Sequence, residues 1–270
     1  MKQTAHIVHT GIITAIGNDT AACTAALHSG VSGIGHSVNL ATRWRDELPV
    51  GAVQADNAEL AELTGVPAHW PRTALLSAVA VQEAWQPFSD LAGTLRAGFF
   101  SANTVGGMDL TESFYARFMK DRDLTGLNAV CHHECGAITE LVARHFGIGG
   151  FVTTISTACS SSANSIMMAA QMIRAGMLDV AVAGGADSLS LFTLNGFNSL
   201  MILDRQPCRP FDNDRQGLNL GEGAGYVTLM NERAMQQCGA QAICTVSGYA
   251  NANDAYHQTA SSPEGTGNIL

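Results

Sequence analysis

The chain has 270 residues, of which 46% are hydrophobic and 14% are charged, a composition typical of a folded protein with a large buried core. Its 14 basic and 23 acidic residues give a net charge of −9, which argues against a general nucleic-acid binder. No apolar run approaches the ~18 residues needed to span a membrane. The seven irregularly spaced cysteines favour free thiols in a reducing cytoplasm.

The predicted elements alternate along the chain. Hydrophobic periodicity predicts strands at 5–14, 96–104, 152–157, 179–185, 223–230 and 242–250. It predicts helices at 20–28, 72–85, 108–120, 135–146, 161–176, 191–200 and 231–238. Strands and helices that alternate in this way indicate an α/β protein with a largely parallel or mixed sheet between helices.

The segment around Cys159 is the most informative part of the chain. A β-branched run at 152–157 predicts a buried strand, and apolar spacing over 161–176 predicts the helix that follows. Cys159 therefore lies at a tight strand-to-helix junction, where the helix N-terminus favours a thiolate and suits an anion. The arrangement is mechanically that of a nucleophile elbow. A buried structural cysteine is the alternative interpretation.

Several further motifs occur in order along the chain. They are Val8–Asp19, Phe146–Gly150, Thr157-Ala-Cys159-Ser-Ser-Ser, Asp179-Val-Ala-Val-Ala-Gly-Gly-Ala-Asp187, Cys208–Gly225 and Asn253–Thr259. Together they resemble the β-ketoacyl-[acyl carrier protein] synthases, condensing enzymes of the thiolase superfamily. The resemblance implies a thiolase-like layered αβαβα fold. Its first half would occupy residues 1–240, and its second half would only begin at 241–270.

The family resemblance also implies a reaction. Cys159 would take an acyl group from an acyl carrier protein, and the acyl-cysteine would then condense with decarboxylated malonyl-carrier protein in fatty acid or polyketide/polyene biosynthesis. The family needs no cofactor or metal for this step. Its paired histidines, which lie in a His-Gly-Thr-Gly-Thr-like motif and a later Gly-His segment, are not found here. We therefore expect an N-terminal portion of a synthase, which by itself should not complete a condensation.

Position in the family suggests further site residues and partners. Substrate-side residues would be Val105, Phe197, Cys131, His132, His257 and Thr259. Val105 would limit acyl length through its bulk. Segments 128–146 and 151–157 would lie at a homodimer interface or at a heterodimer interface with a chain-length-factor-like subunit. Basic groups that could meet an acidic carrier protein are Arg72, Arg117, Lys120 and Arg122.

Alternative interpretations remain for three features. Cys131-His-His-Glu-Cys135 offers metal-binding side chains on one predicted helix face, but no second pair of ligands follows. Gly221–Gly225 lacks the spacing of a phosphate loop, so close packing near Cys159 explains it better. Glu222 and its acidic neighbours indicate a salt-bridged turn with Arg209 and Arg215. For the whole chain, the alternatives are an inactive chain-length-factor-like subunit, which the intact Cys159 disfavours, and a thiolase-type acyltransferase.

Overall fold

A computed structural model describes residues 3–36, 40–91, 93–253, 255–257 and 262. Its strands are β1 (His6–Ile13), β2 (Ile34–Gly35), β3 (Val50–Gly51), β4 (Ala97–Ala102), β5 (Phe151–Ile155), β6 (Val180–Asp187), β7 (Gly223–Met230) and β8 (Cys244–Thr245). Six of them form one sheet in the order β5-β4-β6-β7-β1-β8. The pairs β4–β5 and β4–β6 are parallel, whereas β7 runs antiparallel to both of its neighbours. The mixed sheet predicted from the alternating elements is confirmed.

The α-helices are α1 (Thr20–His28), α2 (Asn57–Thr64), α3 (Arg72–Trp85), α4 (Met108–Asp121), α5 (Cys135–His145), α6 (Ser161–Arg174), α7 (Leu191–Ser199) and α8 (Glu232–Cys238). Short 3₁₀ helices occupy Gln86–Leu91, Leu127–His132 and Ala158–Ser160. Among the described residues, no helix combines the length and the apolarity required to cross a bilayer.

Helices cover both faces of the sheet. On one face, α3 packs against β1, β6 and β7 and is itself covered by α2. Because α3 lies between two layers, it is buried nearly all round, and its side chains join the largest core cluster. On the other face, α6 packs against β4 and β6 through Ala169, Ala170 and Ile173. Burial of a side chain such as Ile173 stabilises the fold by roughly 1.5–3 kcal/mol.

Most predicted elements are confirmed to within about two residues, but three expectations are wrong. The strand predicted at 242–250 is reduced to β8, which has two residues. Cys131 and Cys135 do not share a helix face, because Cys131 lies in a 3₁₀ helix and Cys135 begins α5. The strand before Cys159 is not buried, because β5 is an edge strand and Val152 is 37% exposed.

Candidate active site

Cys159 lies in a strained turn between β5 and α6. It is the middle residue of the 3₁₀ helix Ala158–Ser160, and α6 begins two residues later. Ala158 has φ +53°, in the left-handed region that a residue with a Cβ enters at a cost of about 1–2 kcal/mol. Such strain persists only where surrounding contacts impose it, and it clusters at functional sites. The predicted position of Cys159 at a helix N-terminus is confirmed.

Hydroxyl groups on both sides of the turn hold this geometry. The Ser161 hydroxyl donates to the Ala158 carbonyl at 2.6 Å and accepts from the Thr157 N–H at 2.7 Å. Asn164 donates to the Thr157 hydroxyl at 2.8 Å and to the Ser160 hydroxyl at 3.2 Å. The small polar residues that follow Cys159 therefore fix the backbone, which leaves the thiol exposed.

A cavity of about 420 Å³ adjoins Cys159. Its wall combines the elbow with the carboxyl ends of β4 and β6, the end of β1, and the glycine-rich entry to β7. The lining residues are Ile12, Thr14, Ala102, Asn103, Ala158, Cys159, Ser161, Ser162, Gly185, Ala186, Asp187, Gly221, Glu222, Gly223, Ala224 and Gly225. Three motifs that are far apart in sequence thus meet around one thiol.

The Gly184-Gly185 pair permits this convergence. A Cβ at Gly185 would lie 2.5 Å from the Ser162 hydroxyl and 2.6 Å from the Ala102 carbonyl. A Cβ at Gly184 would lie 2.0 Å from the Gly225 carbonyl oxygen. Only glycine lets the strands and α6 approach so closely, which agrees with the sequence interpretation of Gly221–Gly225 as close packing near Cys159.

Glu222, in the cavity wall, is the partner of a buried arginine. Its carboxylate accepts from Arg72 Nη2 at 2.7 Å and from Arg72 Nε at 2.9 Å. The Val53 and Leu189 N–H groups also donate to it. The predicted pairing of Glu222 with Arg209 or Arg215 is therefore wrong, and only the exposed Arg209–Asp212 pair of that turn is found. Arg72 is also wrong as a surface group for a carrier protein, because it is 7% exposed.

Val105 lies in a loop between β4 and α4. The loop packs against the segment that carries Cys131 and His132, since a Cβ at Gly107 would lie 2.3 Å from the His132 carbonyl oxygen. Three predicted substrate residues are thereby brought to neighbouring segments, with Val105 and His132 half-buried and Cys131 exposed. None of the three belongs to the wall of the Cys159 cavity.

The other predicted substrate residues are more scattered. Phe197 is half-buried on α7, whose first N–H groups are capped by the Glu112 carboxylate of α4. His257 is exposed, and Thr259 lies outside the described residues. Phe197 and His257 are likewise not in the cavity wall.

Cys135 is a second thiol beside the site. Burial raises its pKa, and the negative charge of Asp187 raises it further, whereas a hydrogen bond with the Ser156 side chain opposes the shift. The raised pKa favours the protonated form of the Cys135 thiol. Within the described part of the chain, no group of three or more histidine, cysteine or acidic side chains could hold a metal ion.

Comparison with known proteins assigns the family. The model of the beta-ketoacyl synthase N-terminal domain matches residues 6–234. The chain belongs to the β-ketoacyl synthase family. The Cys159 turn, its cavity and the glycine-rich strand ends all lie within the matched residues.

Relatives of this ketosynthase-family chain match it over almost its whole length. Nodulation protein E of Rhizobium meliloti (strain 1021) is 28% identical, over 98% of the chain and 67% of the relative. The 3-oxoacyl-[acyl-carrier-protein] synthase 2 of Staphylococcus aureus (strain N315) is 26% identical, over 99% and 67%. A solved ketosynthase in complex with its chain length factor, from Xenorhabdus doucetiae, matches with a TM-score of 0.81 and 27% identity, over 99% and 66%.

These matches confirm the thiolase-like α/β fold predicted from the sequence resemblance. The chain spans about two thirds of the length of these relatives. The predicted boundary between residues 1–240 and 241–270 stays a prediction.

Sequence reasoning missed Asp187 and Asn103 as wall residues of the site. Both lie at the carboxyl end of a strand: Asp187 is the last residue of β6, and Asn103 directly follows β4. Parallel strands place their carboxyl ends at the same edge of a sheet, where ligands bind in open α/β folds. Polar residues at these two strand ends were the available signal.

Proposed function

We propose that this protein is a β-ketoacyl synthase that carries a growing acyl chain on Cys159 and extends it from malonyl-[acyl carrier protein] in fatty acid or polyketide biosynthesis. The observation that carries the proposal is the exposed Cys159 thiol, which lies on a strained elbow at the N-terminus of α6 and beside a cavity. A structural cysteine would need neither the strain nor the cavity. The acyl-carrier substrate is supported by the name of the Staphylococcus aureus relative.

The chemistry follows from the elbow. The Cys159 thiol releases its proton, and the resulting thiolate attacks the thioester carbonyl carbon of the acyl-loaded carrier protein. A new carbon–sulfur bond forms to Cys159, the carbon–sulfur bond to the carrier breaks, and the departing carrier thiolate takes up the released proton. The developing oxyanion needs N–H donors held in advance, and the turn at the start of α6 has a fixed backbone that could present them. Acyl transfer is the half-reaction that these residues support. Condensation with malonyl-carrier protein is proposed for the protein as a whole.

The test is covalent loading. The full-length protein is incubated with an acyl-carrier protein, and its intact mass is followed. We expect one added acyl group on Cys159 and none in Cys159→Ala. Cys244→Ala is the matched control, because Cys244 is also exposed and has no predicted role at the site; it should load normally. An adduct that persists in Cys159→Ala, or no adduct on the wild-type protein, would overturn the proposal.

The runner-up is a chain-length-factor-like subunit that assists a catalytic partner. This candidate is supported by the match to a solved ketosynthase from Xenorhabdus doucetiae, which forms a complex with its chain length factor. The thiol on the elbow favours the catalytic role, because an assisting subunit has no need of a nucleophile. Loss of product from the assembled enzyme on Cys159→Ala supports the catalytic role, whereas unchanged product supports the assisting one.

We further propose a two-fold or pseudo-two-fold interface formed by residues 128–146 and 151–157. The support is the edge position of β5, where unpaired backbone groups and the exposed Val152 favour strand pairing with another chain. An obligate interface of this kind buries on the order of 2,000 Å² or more. A homodimer or a heterodimer with a chain-length-factor-like subunit both satisfy this arrangement.

Light scattering of the full-length protein tests the interface, with and without a co-expressed partner subunit. We expect a dimer that Val152→Asp dissociates, whereas Val31→Asp, at an exposed position after α1, leaves it intact. A stable monomer under both conditions would contradict the proposal.

We also propose a cytoplasmic location, supported by seven cysteines, all of them described and none paired.

A further inference from the structure

Asp187 links the nucleophile cavity to the loop that carries Val105. It is the last residue of β6, a strand that is buried along its length up to this position. Its side chain borders the Cys159 cavity. One carboxylate oxygen accepts the N–H groups of Thr104 at 2.7 Å and Val105 at 3.1 Å, and the other accepts the Thr104 hydroxyl at 2.7 Å. A rigid strand end thus holds two consecutive residues of the loop.

The rest of the loop is fixed by other contacts. Gly106 donates its N–H to Asn103 Oδ1 at 3.2 Å, and its carbonyl accepts from the Thr73 hydroxyl at 2.8 Å. The Asn103 amide donates to the Cys135 carbonyl at 3.1 Å. These bonds secure the two ends of the loop at 103 and 106. The central pair, Thr104 and Val105, is held by Asp187.

The Asp187 carboxylate is partly buried. Its hydrogen bonds to the loop are therefore stronger than they would be in water. Burial raises the pKa of Asp187, and the hydrogen bonds from Thr104 and Val105 oppose that shift. Hydrogen bonds to an ionised acceptor are roughly twice as strong as neutral ones. Thr104 itself is exposed and Val105 is half-buried, so little packing replaces these bonds when they are lost.

We propose that Asp187 is a positioning residue that determines how long an acyl chain the enzyme accepts, because it holds Val105 at a fixed place relative to Cys159. The inference rests on the proposed ketosynthase function and on Val105 facing the acyl chain. Asp187 acts through the loop and does not touch the reacting atoms. Without its hydrogen bonds the loop yields to a longer acyl chain.

Two substitutions of Asp187 distinguish its effect on the position of the loop from the effect of its negative charge. In Asp187→Asn, the amide oxygen still accepts the Thr104 and Val105 N–H groups, and the amide nitrogen donates to the Thr104 hydroxyl, which can also accept. The hydrogen-bonded loop is kept and the negative charge is lost. In Asp187→Ala, both the hydrogen bonds and the charge are lost.

The experiment measures loading of Cys159 in the full-length protein from carrier proteins that bear acyl groups of graded length. Asp187→Ala removes all three hydrogen bonds to Thr104 and Val105. We expect it to raise the ratio of long-chain to short-chain loading by at least about tenfold, the scale of a single charge-assisted hydrogen bond. Asp187→Asn should keep the wild-type ratio. The rate of Cys159 alkylation is measured against pH in parallel. If the charge of Asp187 alone mattered, its loss would change this pH profile and the loading ratio equally in Asp187→Asn and Asp187→Ala.

Thr104 supplies a second pair of variants if Asp187→Ala does not fold. Thr104→Val removes the hydroxyl donor and should raise the same ratio by a smaller factor, while Thr104→Ser keeps the donor and should match the wild type. A wild-type ratio in both Asp187→Ala and Thr104→Val overturns the inference, as does an equal shift in Asp187→Asn and Asp187→Ala. If the wild-type protein takes no acyl group at all, the proposed function fails as well.

Discussion

Arg72 and Glu222 form a buried ion pair between the first residue of α3 and the entry to β7. Two parallel hydrogen bonds of 2.7 and 2.9 Å join them, and the exposed fractions of their side chains are 9% and 2%. The Arg72 guanidinium also donates to the Val53 and Ala55 carbonyls. The pair therefore ties three separate segments together behind the wall of the Cys159 cavity.

Removal of one partner leaves the other charge buried and uncompensated. We expect Glu222→Gln to lower the free energy of unfolding by about 3–5 kcal/mol. Arg209→Gln, which breaks the exposed pair with Asp212, should change it by less than about 1 kcal/mol. Urea unfolding of both variants measures the difference, and equal values for the two would refute the structural role of the buried pair.

Gly106 should be far less tolerant of alanine than another glycine with the same backbone conformation. Its φ is +54°, and a Cβ there would lie 2.0 Å from the His133 carbonyl oxygen. Gly30 has φ +64° with nothing within 4 Å. Gly30→Ala should therefore cost only the left-handed strain of about 1–2 kcal/mol. We expect Gly106→Ala to exceed this by several-fold in thermal or urea unfolding; similar losses would show that the loop tolerates displacement.

Asp179 should make stability depend on acid pH. Hydrogen bonds from Arg96 hold the pKa of this buried carboxyl well below its usual range, with a further contribution from Asn231. Because the folded-state pKa is lowered, the stabilisation is present above the unfolded value of about 3.9 and is lost as the pH falls below it. Asp179→Asn should reduce this loss of stability at acid pH, which is measured as the free energy of unfolding against pH.

Arg233→Gln is the control for this dependence, since Arg233 lies 3.9 Å from Asp179 and is 68% exposed. It should leave the decrease in the free energy of unfolding at acid pH nearly unchanged. An unaltered slope in Asp179→Asn would mean that other carboxyls carry the dependence.

Cys159 should be the most readily alkylated of the seven cysteines in the intact protein. Cys131 and Cys244 are exposed as well, but Cys159 alone of these three lies at the start of a long helix and borders the cavity. Cys135 should react slowly at neutral pH, because burial raises its pKa. Limited treatment with iodoacetamide followed by mass spectrometry ranks the sites. Faster labelling of Cys131 or Cys244 would count against the assignment.

Val105→Phe should shorten the longest acyl chain that the full-length enzyme accepts. Under the proposed function, Val105 lines an apolar acyl channel. Extra bulk there costs roughly 1–3 kcal/mol, which is about a ten- to hundredfold loss for acyl groups that reach that depth. Short acyl groups should load normally. Val31→Phe, at an exposed position, should alter neither. A uniform loss at every length would indicate misfolding, and no change would remove Val105 from the channel.

The sequence by itself determined the elements whose signals are local. The β-branched run before Cys159, the small polar residues around it and the apolar spacing after it predicted a strand, a turn and a helix, and β5, the 3₁₀ turn and α6 are found there. The glycine motifs predicted close backbone approach for the same reason. Glycine has no Cβ, so the residue type alone indicates where two backbones can come close. Family motifs in a fixed order gave the fold.

Tertiary structure alone decided which side chains meet and which are exposed. Arg72 and Glu222 are 150 residues apart, and Asp187 and Thr104 are 83 apart; no local pattern encodes such a pairing. The order of strands placed β5 at an edge and so exposed a run that looks buried in sequence. Burial and hydrogen-bond partners depend on which segments lie side by side, and that is set by the packing of the whole sheet and its helices.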